Sequence, residues 1–214
     1  MNTPLPPLPR RFAALALAAA AAALLGACAS APERSPTLIT LPGAPGPAAP
    51  AAGNGALPTL ALARLELPEY LVSRRVRYRT DGSTLAEWPD TFWAERIEVG
   101  MAREFAAALR ARLPGWRVCE SNCAEWGPVA TLRVSIERLD AVRPEQRLRA
   151  SARIAVTRTA PRGLSEHAVA HELPLEADTP QAQARAYAAL LARLAADAAA
   201  VMPGAPANGT PPVR

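Results

Sequence analysis

His167 and His171, in the stretch SEHAVAHEL, are the chain's only histidines; Cys28, Cys119 and Cys123 are its only cysteines. At helical spacing the two histidines would share a metal ion. Val169, Leu173 and Leu175 instead alternate with smaller or polar residues, which predicts a strand. Four residues of strand hold the rings about 13 Å apart on one face, too far for a single ion. Glu172 follows the second histidine, so the segment is also not H-E-x-x-H. Both are expected as ordinary surface or edge side chains, a histidine pair at an oligomer or partner interface being the other reading. No G-x-S-x-G occurs and every base is arginine, with no lysine anywhere. P-loop and Schiff-base chemistry are therefore excluded. The cluster RRVRYR places Arg75, Arg77 and Arg79 on one strand face and Val76 and Tyr78 on the other. Such a stripe either grips carboxylates or phosphates bidentately or forms a solvated face paired with nearby acids. No nucleophile–base constellation and no metal site is expected, so the chain reads as a non-enzyme.

Cys28 has a chemistry of its own. Arg10 and Arg11 precede an apolar run from Phe12 to Leu25, too short for a spanning helix of about 20 residues. A basic start, a short apolar run and small residues at its end read as a secretory signal. The stretch LGAC, Leu25 to Cys28, resembles a bacterial lipobox. That resemblance implies cleavage before Cys28, a diacylglycerol on its thiol and an acyl chain on the new amine; beyond these covalent groups no cofactor is expected. Several chains on one residue suffice for stable anchoring. Ala29 and Ser30 follow, with no Asp to retain the protein in an inner membrane, so the expected location is the periplasmic face of the outer membrane. An ordinary signal cut elsewhere, or an uncleaved anchor, is the other reading.

Export changes how charge and sulfur are read. The chain has 24 basic and 19 acidic residues; without Arg10 and Arg11, 22 bases face 19 acids, a net of +3. A basic chain suggests nucleic acid, but an exported lipoprotein does not meet it, leaving an acidic partner, anionic head groups or simply a soluble arginine-rich face. Cys119 and Cys123, in CESNC, are expected to pair in an oxidising compartment; a metal site would need more ligands.

The elements that must position these residues fall into one domain. Residues 1–27 are the expected signal and 28–36 a short linker. The domain spans 37–202, carries a disordered Pro/Ala/Gly loop at 42–58, and is followed by a disordered tail at 203–214. Strands are predicted at Thr37–Leu41, within LALARLEL and at RVRYR, with Asp81-Gly82 starting a further short strand. Leu132, Val134 and Ile136 alternate with Arg133, Ser135 and Glu137, predicting a strand over Thr131–Leu139. Leu148–Arg158 does the same and pairs with it as a hairpin through AVRPEQ; a third strand runs from about Glu166 to Leu175. Trp93, Ile97, Met101, Phe105 and Leu109 form one helical stripe, with Asp90 or Thr91 as cap and Pro114-Gly115 as stop. A second helix starts at the cap Thr179 with Pro180 in its first turn. Its inner face holds Tyr187, Leu190, Leu191, Leu194, Ala198 and Val201. Trp93 and Trp116 are expected in the core; Trp88 and Trp126, beside Pro or Gly, at the surface, where they would suit an interface. The order predicts an α+β fold, a mostly antiparallel sheet with two main helices on one face.

Leu67, Pro68, Glu69, Tyr70 and Leu71 (LPEYL), then Trp93, Ala94 and Ile97 in FWAERI, then LPGW at Leu113 to Trp116, stand in an order that resembles the ABC-type transport auxiliary lipoproteins of the PqiC (YmbA) type. Arg96 stands where that family often has Pro. The resemblance implies a small α+β domain like the N-terminal domain of TolB. It implies a non-catalytic part beside a permease and an MCE-domain protein of a PqiB-like system, which moves lipids between membranes and maintains membrane integrity. The lipoprotein would dock or tether that machinery from the outer membrane, and self-assembly into a homo-oligomer fits the family. LPEYL reads physically as a rigid bend, Pro68 fixing φ and holding Leu67 extended, with Tyr70 and Leu71 covering a core edge or a partner. A lipoprotein regulator of a cell-wall synthase, reaching out on a Pro/Ala-rich linker, is the alternative.

Overall fold

The computed structural model describes residues 35–43 and 57–202. The expected signal, Cys28 with its linker to residue 34, residues 44–56 of the expected loop and the 203–214 tail lie outside the described residues. Eight strands and two helices follow in the order β1 (Thr37–Ile39), β2 (Thr59–Leu62), β3 (Arg75–Arg79), β4 (Leu85–Trp93), α1 (Ile97–Arg112), β5 (Arg117–Cys119), β6 (Ala130–Val142), β7 (Arg147–Thr159), β8 (Arg162–Pro174) and α2 (Pro180–Val201). Short 3-10 turns occupy Glu69–Leu71, Cys123–Trp126 and Arg143–Glu145.

The α+β class and the two helices are as expected, but the sheet is mixed rather than mostly antiparallel. Four of its seven strand pairings are parallel: β1–β4, β2–β5, β2–β6 and β3–β6. Only β6–β7–β8 and β3–β4 are antiparallel. The local hairpins are legible because a short turn joins their strands; the parallel pairs join strands distant in sequence, and period-two alternation says nothing about which distant strand lies alongside. β6 is the axis of the sheet. One of its edges carries β7 over its whole length, while the other is shared by β2 near Ala130–Leu132 and by β3 at Val142.

β6 also contains a phase break. Leu132, Val134 and Ile136 are buried, and then Leu139 and Ala141. The ladder to β7 shifts between Ile136 and Arg138, so an extra residue turns the odd positions inward, as a β-bulge does.

The first helix begins later than its apolar stripe suggested. Asp90–Trp93 belong to β4, and α1 starts at Ile97. Thr91, Phe92 and Trp93 are strand-favouring types, and they pair with β1 while Arg75 pairs with Phe92. Asp90 sits at φ 47° in β4, where β4 advances five residues (Glu87 to Phe92) while β3 advances two (Arg77 to Arg75). Ile97, Met101, Phe105 and Leu109 are buried as a helical stripe, and Trp93 joins the same core from the strand.

α2 is built as its sequence reads. Thr179 accepts a hydrogen bond from the Ala182 amide at 3.2 Å, and Pro180 follows it. Tyr187, Leu190, Leu191, Leu194 and Ala198 are buried and Val201 partly so. Each fully buried leucine contributes about 1.5–3 kcal/mol of transfer free energy. α2 packs on α1 and on β7 and β8, which puts both helices in one layer. No helix of the described residues is long and apolar enough to cross a membrane.

Candidate functional site

The LPEYL segment has a defined structural task. Pro68, at φ −57° and ψ 137°, turns the chain into the Glu69–Leu71 3-10 turn, closed by Leu71 N–H donating to the Pro68 carbonyl at 3.0 Å. Leu71 is buried and Leu67 and Tyr70 pack against the core. The Tyr70 hydroxyl reaches β6 just past its bulge. It accepts from the Leu139 amide at 3.0 Å and donates to Asp140 Oδ1 at 3.1 Å. Leu139 lies just past the bulge, where neither β2 nor β3 pairs with β6, and the tyrosine supplies an acceptor for its N–H.

Asp140 is buried and charged, and it is the centre of this site. Arg138 Nε donates to its Oδ2 at 2.5 Å, and Arg79 Nε lies 2.7 Å from its Oδ1 with its N–H direction poorly aligned. Burial alone would raise the Asp140 carboxyl; hydrogen bonds from Arg138 and Tyr70 and the charge of the adjacent Arg79 more than offset that and hold it below the ordinary carboxylate range. Burial raises the Tyr70 phenol in turn. The Arg79 guanidinium also lies 5.4 Å from the Tyr70 ring centre. This network closes the sheet where β2 and β3 diverge along β6.

The arginine stripe of β3 is consumed by the fold. Arg75 and Arg77 share Glu87 at 3.3 and 3.2 Å, Arg77 Nη1 donates to the Tyr70 carbonyl at 2.9 Å, and Arg79 serves Asp140. Of the two readings of RRVRYR, the paired face is the one the geometry has.

A second polar network ties α2 to β3 and β4, and it corrects the expectation for Trp88. That residue is only 9% exposed. Its Nε1 donates to Gln183 Oε1 at 2.9 Å; Gln183 Nε2 donates to the Arg77 carbonyl at 2.7 Å and to the Tyr187 hydroxyl at 3.1 Å. Burial drives the Tyr187 phenol upward. Arg143 lies over the Trp88 and Tyr78 rings at 4.3 and 4.9 Å and grips Asp178 with Nε and Nη2 at 2.6 and 2.9 Å. Pro89 beside Trp88 suggested a surface position, but β4 continues through it into the core. Gln183 was not singled out from sequence. One polar residue among the apolar positions of the α2 face is the signal that could have found it. Asp140 carries a similar signal, standing between buried Leu139 and Ala141.

Elsewhere, Trp93 and Trp116 are buried as expected and Trp126 is 53% exposed, also as expected. Cys119 and Cys123 form a disulfide with Cα atoms 5.6 Å apart. His171 Nε2 lies 2.6 Å from Asp197 Oδ2 on α2, while His167 is exposed on the edge strand β8. Among the described residues no cluster of histidine, cysteine and carboxylate groups could hold a metal ion. Leu62, Leu65, Ala102 and Phe105 line a cavity of about 280 Å³ with Arg64 and Glu120 beside them; it brings no reactive pair together. Cys28, the lipidation candidate, lies outside the described residues.

Residues 40–199 match the family described as the ABC-type transport auxiliary lipoprotein component. No curated protein matches the chain. Among solved structures, an uncharacterized protein is 19% identical at a TM-score of 0.64, covering 78% of this chain and 98% of its own. A DUF330 protein from Xanthomonas campestris is 13% identical at 0.56, with 75% and 91% covered. A PelC dodecamer from Paraburkholderia phytofirmans is 10% identical at 0.39, with 71% and 91% covered. The first two share this fold. The family is an auxiliary transport lipoprotein, which implies a lipid anchor on a membrane and a non-catalytic role. The chain belongs to the ABC-type transport auxiliary lipoprotein family.

Proposed function

We propose that this member of the family is the outer-membrane lipoprotein of a PqiC-like, MCE-type lipid transport system. It tethers and docks the machinery from the periplasmic face and performs no chemistry itself. The observation that carries this reading is the lipobox LGAC at Cys28 upstream of a domain that matches the auxiliary family over residues 40–199. Cys28 carries the diacylglycerol and acyl chains; Ala29 and Ser30 behind it favour the outer membrane. The partner is an MCE-domain protein of a PqiB-like complex, and the lipoprotein self-associates to meet it. LPEYL and the β3 arginines support the docking domain from within, since their polar atoms face Asp140, Glu87 and each other.

Two measurements test it. Replacing Cys28→Ser should release the protein from the outer-membrane fraction, and an unchanged fractionation would overturn the anchor. Affinity purification of the tagged, lipidated chain should recover an MCE-domain protein. Recovery of a penicillin-binding protein without it would overturn the transport assignment in favour of a cell-wall regulator.

A further inference from the structure

At the Ala130 end of β6, the face of the sheet turned away from the helices carries unpaired positive charge and exposed apolar side chains together. Registers place them. Arg117 is level with Thr59, and Leu60 with Ala130. Thr131 is opposite Thr157 and Thr157 opposite Leu164, while Thr159 is opposite Arg162. Ala130 points into the core, so Val129 and Thr131 beside it point to the outer face by alternation. Backbone bonds from Val129 N to the Thr59 carbonyl and from Thr159 N to the Val129 carbonyl, both 3.0 Å, knit this end together. Five strands at about 4.8 Å spacing make the row from Arg117 to Leu164 about 19 Å wide.

Trp126, Val129 and Leu164 are 53%, 37% and 63% exposed, three of the six large apolar residues exposed among the described residues. The Arg117 guanidinium lies 4.4 Å over the Trp126 ring. Arg117 and Arg162 take part in no ion pair among the described residues. Further along the same face, Arg133, Arg147, Arg149 and Arg153 all meet a glutamate. The adjoining loop carries Glu120, which pairs with Arg110, and Glu125, and β8 places Glu166 on the same face as Leu164; neither Glu125 nor Glu166 takes part in an ion pair with Arg117 or Arg162 among the described residues.

We propose that this patch is a docking site for an acidic segment of a partner protein, which sets carboxylates on Arg117 and Arg162 and an apolar side chain between Trp126 and Leu164. Planar guanidinium groups match carboxylates bidentately, and interface centres favour Trp and Arg. A protein rather than a lipid surface is favoured by where the chain enters the domain. β1 joins the sheet through β4 and β3, which meets β6 at Val142. Through Phe92 and Arg75, Leu38 lies about four residues short of the Val142 level, so a chain entering at Thr37 meets the sheet about eight residues of β6 away from the Ala130 end, roughly 26 Å of strand. The inference rests on the docking role proposed above and names the surface that performs it.

The probe is a synthetic fluorescent glutamate-rich peptide with single leucines at intervals, titrated by anisotropy onto the full-length lipoprotein in detergent. Binding is expected to weaken about tenfold or more in Arg117→Ala/Arg162→Ala, in Trp126→Ala and in Leu164→Asp. It should weaken with rising salt, and change less than about twofold in Arg133→Ala/Arg153→Ala, the paired arginines. Circular dichroism checks that each variant is folded, and the independent single variants keep the test decisive if one is not. No peptide binding, binding unmoved by the patch variants, or equal loss in the paired-arginine control would overturn the proposal. So would phosphatidylglycerol vesicles that bind the lipid-free Cys28→Ser chain through the same patch residues while the peptide does not. Failure of the transport reading shows in fractionation and in the recovered partner and leaves peptide binding intact; failure of the patch leaves the anchor and its fractionation intact.

Discussion

The two ends of β6 spend their arginines differently. At the Val142 end, Arg79, Arg138 and Arg143 each have a carboxylate of this chain, and the tyrosines and tryptophan beside them are buried or stacked. At the Ala130 end, Arg117 and Arg162 have none, and Trp126, under Arg117, is half exposed. The same residue types thus serve structure at one end and are left over at the other. A buried charge must be paired or it costs several kcal/mol, whereas an exposed arginine loses little by waiting for a partner. What separates a structural from a recognition arginine here is the supply of carboxylates within the fold.

That contrast can be broken most sharply at Asp140. Asp140→Ala leaves Arg79 and Arg138 crowded without their counter-charge, and unfolding by denaturant should show a loss of about 3–5 kcal/mol; a loss below about 1 kcal/mol would make the Val142 end as dispensable as the other. Tyr70→Phe removes the acceptor of the Leu139 amide and one donor to Asp140, an expected loss of about 1–3 kcal/mol. If it instead left stability untouched and abolished partner capture, Tyr70 would belong to recognition. The pH profile sharpens the same point. Asp140 is held below its ordinary value in the folded state, so its contribution is full above the unfolded carboxyl value of about 3.9 and is lost as pH falls through the folded one. Asp140→Asn should flatten that part of the acid limb of the stability curve, and an unchanged limb would remove Asp140 from the account. At the other end, Trp126→Ala should shift stability by no more than about 0.5 kcal/mol, as exposed positions do; a loss above about 2 kcal/mol would mean that the patch is part of the core after all.

Local order was legible and long-range pairing was not. Thr179-Pro180 announces α2 by itself, because a cap and a fixed φ act within one turn. The β6–β7 hairpin follows from two alternating runs joined by a short connection. Trp93 misled because a stripe at i, i+4 is also met by a strand residue that enters the same core just before a helix. Trp88 misled because its neighbour Pro89 speaks for a break, while its partner Gln183 lies 95 residues away. The bulge in β6 was visible only as a change of phase between Ile136 and Leu139, and the hydroxyl that satisfies it comes from Tyr70, 69 residues earlier.

The amino-acid sequence by itself determined the signal-like start and its cysteine, the two helices, the long hairpin and the order of short motifs that marks the family. These depend on residue type and near spacing, which the chain carries in one dimension. Tertiary structure alone decided that the sheet is mixed, that LPEYL secures a bulge in β6 and that RRVRYR is paired internally. It also decided which arginines remain unmatched, because a carboxylate's availability depends on which distant strand is brought beside it.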